Sequence, residues 1–511
     1  MSRVWRRLAV GEDDSLFGKA SRALGWSLFN TAAGRLGTLA IGIALARLLG
    51  PAEFGVFAVA MVALLAVLSF NELGVSLAIV RWPGDPHAIA PTVATISLVS
   101  SCLVYAGCFV AAPAFAAAMG APAATGVIRL LTVSVVVNGL VAVPAALLQR
   151  GFRQDRKMLA DQVNNWGGAL VSIVLAAAGM GAMSLAVGRL AGAGASAVLL
   201  VLAAPGPLRF GFDPAAARAL LRFGLPLAGS SVVVFAVGGA DQLIVGHVLG
   251  PTALGFYVLA FNLSNWPVSM FSQPVRGVAP AAFARIQDDP VRLRRAFLTT
   301  AGLLAGLTLP VCLLLAGAAE PLVRLVYGTT WEPAAAALLL LAVLGALRIM
   351  FELVYDYFVV LARSRAVFTV QVVWLAVLVP ALVAGARLDG IAGAAAAHVL
   401  VAAFVVLPLY LWELRRVGVA PAGVLRRTGP PALIAAAAGL AAWAAQAAIP
   451  LDVLALAVAG TAAAAALALQ FRRMRAALRG LRDLGGPAGE PNEREPNERE
   501  PNLEAADAGT G

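Results

Sequence analysis

Arg348, Glu352 and Asp356 recur at four-residue steps in an otherwise apolar stretch, which places one cation and two carboxylates on a single stripe of a helix. Arg348 and Glu352 are spaced to neutralise one another, and the stripe reads first as the wall of a water-filled cavity, with a packed intrahelical pair as the alternative. Arg35, with Asn30, Thr31 and Thr38 near it, offers a guanidinium that can grip a diphosphate bidentately. Asp241, followed by Gln242, is the acidic group best suited to oppose Arg35. The pair reads either as a gate opened by a competing anion, as a carrier of a coupling proton or sodium ion, or as a permanent packing contact. Arg189 has no sequence neighbour to pair with and reads as a cavity-lining or snorkelling group. Asn138, Asn262 and Asn265 suit hydrogen bonds to hydroxyls or polar contacts between helices. His247 and His398 read as packed or interfacial, since no acidic motif adjoins either. Cys102, Cys108 and Cys312 show neither a disulfide framework nor metal-ligand spacing. These groups suit binding and ion exchange; no nucleophile–base arrangement, metal site or cofactor site is expected.

The elements that hold them must cross a membrane. Hydrophobic residues make up 60% of the 511-residue chain, charged residues 13%, and mean hydropathy is +0.86. Ionisable side chains at such depth are costly, and that cost makes each a candidate for function. Apolar runs without strand-like alternation predict an all-α polytopic membrane protein, since only helices or closed barrels satisfy the backbone in lipid. Fourteen spans are predicted, at about 24–48, 54–80, 92–118, 125–148, 164–180, 183–204, 220–249, 254–275, 296–318, 334–361, 366–386, 390–412, 430–448 and 452–470. Only Gly179-Met-Gly-Ala-Met183 divides the fifth from the sixth, so one long or re-entrant segment is the competing reading.

The formal charge of +11 does not mark a nucleic-acid protein, because the basic residues alternate with the spans. Most fall on one side if both termini are cytoplasmic, as the positive-inside rule requires; Arg47, Arg129, Arg324 and Arg387 lie near the other face. The expected organisation is a cytoplasmic segment 1–23, a six-helix bundle 24–204, a connector 205–219, a second bundle 220–412, a loop and two further helices 413–470, and a basic juxtamembrane segment and disordered tail 471–511. The first apolar run is longer than a secretory signal core and reads as a retained helix. Ala281 to Arg295 reads as a polar cytoplasmic link, either a short interfacial helix or a solvated loop. Trp82 and Trp331 read as interfacial anchors, and Glu72, Asn71 and Arg81 as a structural network.

The two bundles echo one another. Leu48 to Ala60 and Val248 to Ala260 align at a register of 200 residues, with Gly50-Pro51 and Gly250-Pro251 identical, as are Gly55 and Gly255. Glycine accepts positive φ and proline cannot continue a helix interior, so both pairs read as tight outer turns. Arg35 and Asp241 depart from the echo, their counterparts being Phe235 and Ile41.

Leu45-Ala-Arg-Leu-Leu-Gly-Pro-Ala-Glu-Phe-Gly-Val-Phe57, Glu72-Leu-Gly74 and Ala78-Ile-Val-Arg81 resemble the opening of the polysaccharide-exporting flippases of the multidrug/oligosaccharidyl-lipid/polysaccharide superfamily. Arg222-Phe-Gly-Leu-Pro-Leu227, Asp241 before Ile244-Val-Gly246, Arg285-Ile-Gln287 and Tyr327-Gly-Thr-Thr-Trp-Glu-Pro-Ala334 extend the resemblance over about 24–412. It implies two six-helix bundles about a central cavity, often with two extra helices. It further implies alternating-access export of an undecaprenyl-diphosphate-linked oligosaccharide across the plasma membrane for lipopolysaccharide or other surface polysaccharide synthesis. Membrane lipids, and a polysaccharide polymerase with its assembly proteins, are the expected partners. A lipid II flippase or a drug antiporter of the same superfamily is the alternative. A membrane glycosyltransferase or polymerase fits less well, because the longest outer segment, Ala319 to Pro333, is short and carries few charges.

Overall fold

The computed structural model describes the backbone of residues 16–71, 79, 85–151, 153–206 and 208–484; the side chains of 16–36, 69–71, 225–237 and 472–484, and a few isolated ones, lie outside the description. All regular structure among the described residues is helical. The first half comprises α1 (Leu16–Asn71), α2 (Pro86–Ala118), α3 (Ala124–Arg150), α4 (Gln154–Gln162), α5 (Gly168–Ala177) and α6 (Ala182–Ala203). The second comprises α7 (Pro214–Leu249), α8 (Pro251–Pro267), α9 (Gln273–Arg285), α10 (Pro290–Gly317), α11 (Ala319–Tyr327), α12 (Ala334–Val360), α13 (Ser364–Val401) and α14 (Leu407–Arg416). Two more follow, α15 (Pro421–Ala448) and α16 (Asp452–Leu484). Short π segments join α4 to α5, α8 to α9 and α13 to α14. Nine segments of the described chain are long and apolar enough to cross a membrane, so this is a multi-pass membrane protein.

The interruptions follow local chemistry. Gly50 breaks α1 at φ 71°, ψ 172°, and Gly250 separates α7 from α8 at φ 84°, ψ −179°. The repeated Gly-Pro pairs therefore adopt matching turns, in a region of backbone space that only glycine enters easily. Gly181 (φ 57°, ψ −143°) precedes α6, and Gly390 (φ 56°, ψ −136°) breaks α13 in the same conformation. The turn at Gly179–Gly181 makes α5 and α6 separate helices, which excludes one long helix there.

Three helices begin with Asp-Pro, the aspartate capping free N–H groups and the proline occupying a position that needs none. Asp85 accepts from His87 N, Asp213 from Ala215 N, and Asp289 from Val291 N and Arg292 N. The caps correct two expectations. The second half starts at Pro214, inside the expected connector 205–219. Residues 281–295 form neither one interfacial helix nor a long loop, but the end of α9, a turn and the first residues of α10. The connector is itself fastened to α2: Thr95 Oγ1 donates to Gly211 O at 2.8 Å, and Asp213 N donates to Thr92 Oγ1 at 3.1 Å. At the other end of the chain, residues 471–484 continue α16; the Glu-Pro-Asn-Glu-Arg tail and residues 1–15 lie outside the described residues.

The halves meet through one apolar core that includes Val59, Leu64 and Leu131 from the first and Leu254, Leu341 and Phe358 from the second. At the Gly-Pro end their backbones touch reciprocally. A Cβ on Gly55 would collide with the carbonyl of Pro251, and one on Gly255 with the carbonyl of Pro51. Trp331 is fully buried there, edge-on to Phe54 and Phe256, with its indole N–H donating to Ala46 O at 3.1 Å. It is a core residue and not an interfacial anchor: the short helix α11 turns the chain inward, and the buried indole has found a partner.

Candidate functional site

A cavity of about 780 Å³ lies inside the second half and extends to the α12–α13 turn at Ala362 and Ser364. Its charged lining comes from four helices: Asp241 on α7, Arg276 on α9, Arg348 and Glu352 on α12, and His398 on α13. Phe261, Phe351, Tyr355, Phe368, Trp374 and Tyr410 supply most of its apolar wall. The volume falls in the range of small-molecule sites, roughly 300–1,000 Å³, and the mixture of aromatic wall with a few polar groups is typical of them.

Asp241 is 2% exposed. Its Oδ1 accepts from Gln242 N at 2.8 Å, its Oδ2 accepts from the Tyr257 hydroxyl at 3.1 Å, and His398 Nδ1 lies 3.9 Å from that oxygen. No arginine or lysine among the described residues comes within ion-pair distance of it, so a buried carboxyl is held by neutral donors beside an imidazole. This arrangement can exchange a proton without rearranging a salt bridge.

Arg348 stacks over Phe261 at 5.4 Å and, among the described residues, makes no hydrogen bond or ion pair. The expected local pair with Glu352 is not formed. Glu352 instead accepts a hydrogen bond from Ser272 Oγ and lies 3.9 Å from Arg276 Nη1. Asp356 is gripped by Arg276 through Nε at 3.1 Å and Nη2 at 3.3 Å. The π segment Val268–Ser272 precedes α9 directly, and its extra residue turns the following side chains about the helix axis, here with Ser272 and Arg276 against α12. The acidic groups of the stripe are thus satisfied by α9, which leaves Arg348 free in the cavity. His398 Nδ1, Trp374 Nε1 and Gln371 Oε1 are also buried there without a protein partner. Such atoms are uncommon in folded proteins and are met by water, an ion or a polar ligand.

Asp241, Arg348 and Glu352 thus line one cavity, and three other candidates do not. Gln242 is half-buried and contributes its backbone N–H, Asn262 is exposed outside the cavity lining, and Arg189 is exposed on α6 without a hydrogen bond or ion pair among the described residues. The side chains of Arg35 and Asn30 lie outside the described residues, as do those of Asn71, Glu72, Arg81 and Trp82. His398 is packed, as one of its two readings has it, but folding brings the Asp241 carboxyl to within 3.9 Å of it from another helix, which no sequence neighbour indicates. Arg276, one of the basic residues that alternate with the spans, organises the stripe. Tyr257 and Trp374 carried no signal beyond their apolar surroundings. His247 is not packed: it is exposed, with Nδ1 2.7 Å from Ala118 O. Among the described residues no three His, Cys, Asp or Glu side chains gather as a metal site.

The family model described as polysaccharide biosynthesis protein matches residues 44–336. Lipopolysaccharide biosynthesis protein WzxC of Escherichia coli (strain K12) is 29% identical over 190 residues, 37% of this chain and 39% of that protein. Succinoglycan biosynthesis transport protein ExoT of Rhizobium meliloti (strain 1021) is 25% identical over 334 residues, 63% of this chain and 65% of its own. The matches thus span less than two thirds of either relative. In fold, the chain is similar to the lipid II flippase MurJ in an inward closed conformation, with a TM-score of 0.68 at 12% identity, covering 85% of this chain and 98% of that one. An inward-facing multidrug resistance MATE family transporter of the MOP superfamily gives 0.57 at 17% identity, covering 75% and 94%.

Proposed function

This chain belongs to the polysaccharide biosynthesis protein family, and from that premise we propose that it is a flippase for undecaprenyl-diphosphate-linked oligosaccharide repeat units, working in the plasma membrane by alternating access. The observation that carries the reading is a charged, aromatic-walled cavity inside a multi-pass helical bundle, with a free guanidinium and unpartnered polar atoms. A sugar hydroxyl that leaves water without a replacement partner costs about 2–7 kcal/mol, and a diphosphate costs more. A headgroup therefore crosses only inside something polar, while its polyprenyl tail stays in lipid. No bond is made or broken, so the chain acts as a transporter and not as an enzyme. Relatives named for lipopolysaccharide biosynthesis and succinoglycan transport support this cargo class.

In this proposal the two bundles, about 24–204 and 214–412, rock against each other, and the Gly-Pro turns face outward with both termini in the cytoplasm. Arg348 meets anionic or polar parts of the headgroup, and Asp241 with His398 exchanges the coupling proton. A polymerase that consumes repeat units on the outer face would draw on the delivered cargo. Leaflet-specific labelling of the lipid-linked sugar tests the cargo: a strain lacking the protein is expected to retain completed repeat units on the cytoplasmic leaflet, and unchanged outward delivery would overturn the assignment.

A further inference from the structure

The residue two positions before each Leu-Gly-Pro turn reaches across to the opposite half. Arg47 and His247 occupy equivalent positions at the 200-residue register. Arg47, in the first half, donates from Nε to Val326 O at 2.7 Å and from Nη2 to Leu325 O at 2.6 Å, two carbonyls in the last turn of α11 in the second half. His247, in the second half, is 2.7 Å from Ala118 O, the last residue of α2 in the first half. A carbonyl only accepts, so Nδ1 carries the proton and donates. Both arms thus satisfy helix C-terminal carbonyls that have no intrahelical partner, and Arg47 also brings a cation to the negative end of a helix dipole.

A third contact runs the other way from Arg47. Trp331, from the 3₁₀ turn after α11, donates to Ala46 O in the last turn of α1 before the Gly50 break. Between these arms Gly55 and Gly255 let the two Gly-Pro backbones meet without side chains. All these groups lie at one end of the molecule, opposite the end where the cavity approaches the α12–α13 turn.

We propose that Arg47 and His247 form a pseudo-symmetric latch, reinforced by Trp331, that holds the two halves shut at the Gly-Pro end and must release once in every transport cycle. The proposal rests on the alternating-access reading above. It assigns a role to residues that touch no cargo: each arm sets the balance between closed and open states.

Pulsed electron paramagnetic resonance on the full chain in lipid nanodiscs tests it, with spin labels at Ala52→Cys and Thr252→Cys. Both positions are exposed and flank the contact, and Cys102 and Cys108 are replaced by serine to keep labelling specific. Wild type is expected to give a dominant short distance. Arg47→Ala should raise the ratio of the long to the short population about tenfold, equivalent to about 1.4 kcal/mol. His247→Ala should act in the same direction, and His247→Gln, which keeps an N–H donor, should restore the wild-type distribution. Gly255→Ala, whose Cβ would meet Pro51 O, should open the same end without removing any hydrogen bond. Distance distributions that are identical in wild type, in the Arg47→Ala/His247→Ala double variant and in Gly255→Ala would overturn the latch. No lipid-linked sugar is present in the measurement. Opening that responds to the latch variants, with outward delivery unchanged in the deletion strain, would therefore sink the cargo assignment and leave the latch standing.

Discussion

At the scale of residues, two arginines that look alike in the sequence separate into different roles. Arg276 is committed to Asp356 by a bidentate pair and to Glu352 by proximity, whereas Arg348 has only the face of Phe261. Asp356→Ala is expected to lower stability by about 1–3 kcal/mol, since it removes two charge-assisted hydrogen bonds from a largely buried carboxylate. Arg348→Gln removes no hydrogen bond or ion pair, so its thermal unfolding in detergent should stay within about 0.5 kcal/mol of wild type while outward delivery of the lipid-linked sugar falls at least severalfold. An Arg348→Gln protein that unfolds as early as Asp356→Ala, with full transport, would make Arg348 a packing residue. Asp241, Arg348 and Glu352 were legible because ionisable groups inside apolar runs are expensive and stand out one at a time. His398, Tyr257 and Trp374 were not, because what makes them notable is a neighbour brought from another helix, and sequence spacing holds no trace of it. Arg276 was hidden for a different reason: a basic residue near a span end is also what topology requires, and that explanation was sufficient by itself.

At the scale of elements, the Gly-Pro turns and the Asp-Pro starts were readable to different degrees. The turns were evident because they are repeated, and their matching backbone angles explain why glycine stands in both. The Asp-Pro starts were hidden by their charge: Asp289 looked like part of a polar loop, although the same aspartate is what begins α10. A pair of substitutions isolates backbone conformation from packing. A Cβ at Gly250 meets nothing within 4 Å, and the same holds at Gly42 inside α1. Gly250→Ala should nevertheless cost about 1–3 kcal/mol, because it forces a side chain into the positive-φ region. Gly42→Ala should be neutral or stabilising by up to about 1 kcal/mol, because alanine is the better helix former. Thermal unfolding of the two purified variants checks the contrast; equal destabilisation would show that packing around the turn, and not its backbone, sets the requirement for glycine. The π segments gave no sequence signal, since a single inserted residue alters neither composition nor hydropathy, yet one of them precedes the residues that hold the acidic stripe.

For the whole molecule, the two-fold frame and the direction of transport depend on which end faces the cytoplasm. Arg150, Arg276, Arg285 and Arg292 lie at or near the ends of α3, α9 and α10 away from the Gly-Pro turns, together with all three Asp-Pro starts. The proposed orientation puts that end, and with it the approach to the cavity, on the cytoplasmic side, as the positive-inside rule requires. Of the four arginines near the Gly-Pro end, Arg387 is exposed, while three are occupied: Arg47 by the carbonyls of α11, Arg129 by Phe109 O at 3.1 Å, and Arg324 by Glu320 at 2.9 Å and Asp452 at 3.6 Å, which fastens α11 to the start of α16. Charges engaged in this way are weak topological signals, which is why they do not contradict the orientation. Asp288 and Glu332 are exposed at opposite ends and serve as reporters. In right-side-out vesicles Glu332→Cys should react with a membrane-impermeant thiol reagent at once, and Asp288→Cys only after permeabilisation. The reverse pattern would put the cavity approach outside and turn the proposed export into uptake, and it would do so without disturbing the helices, the reciprocal glycine contacts or the charge pairing, all of which are indifferent to which side is which. The orientation is thus the one property of the assembly that packing does not determine, and only the basic residues outside the core specify it.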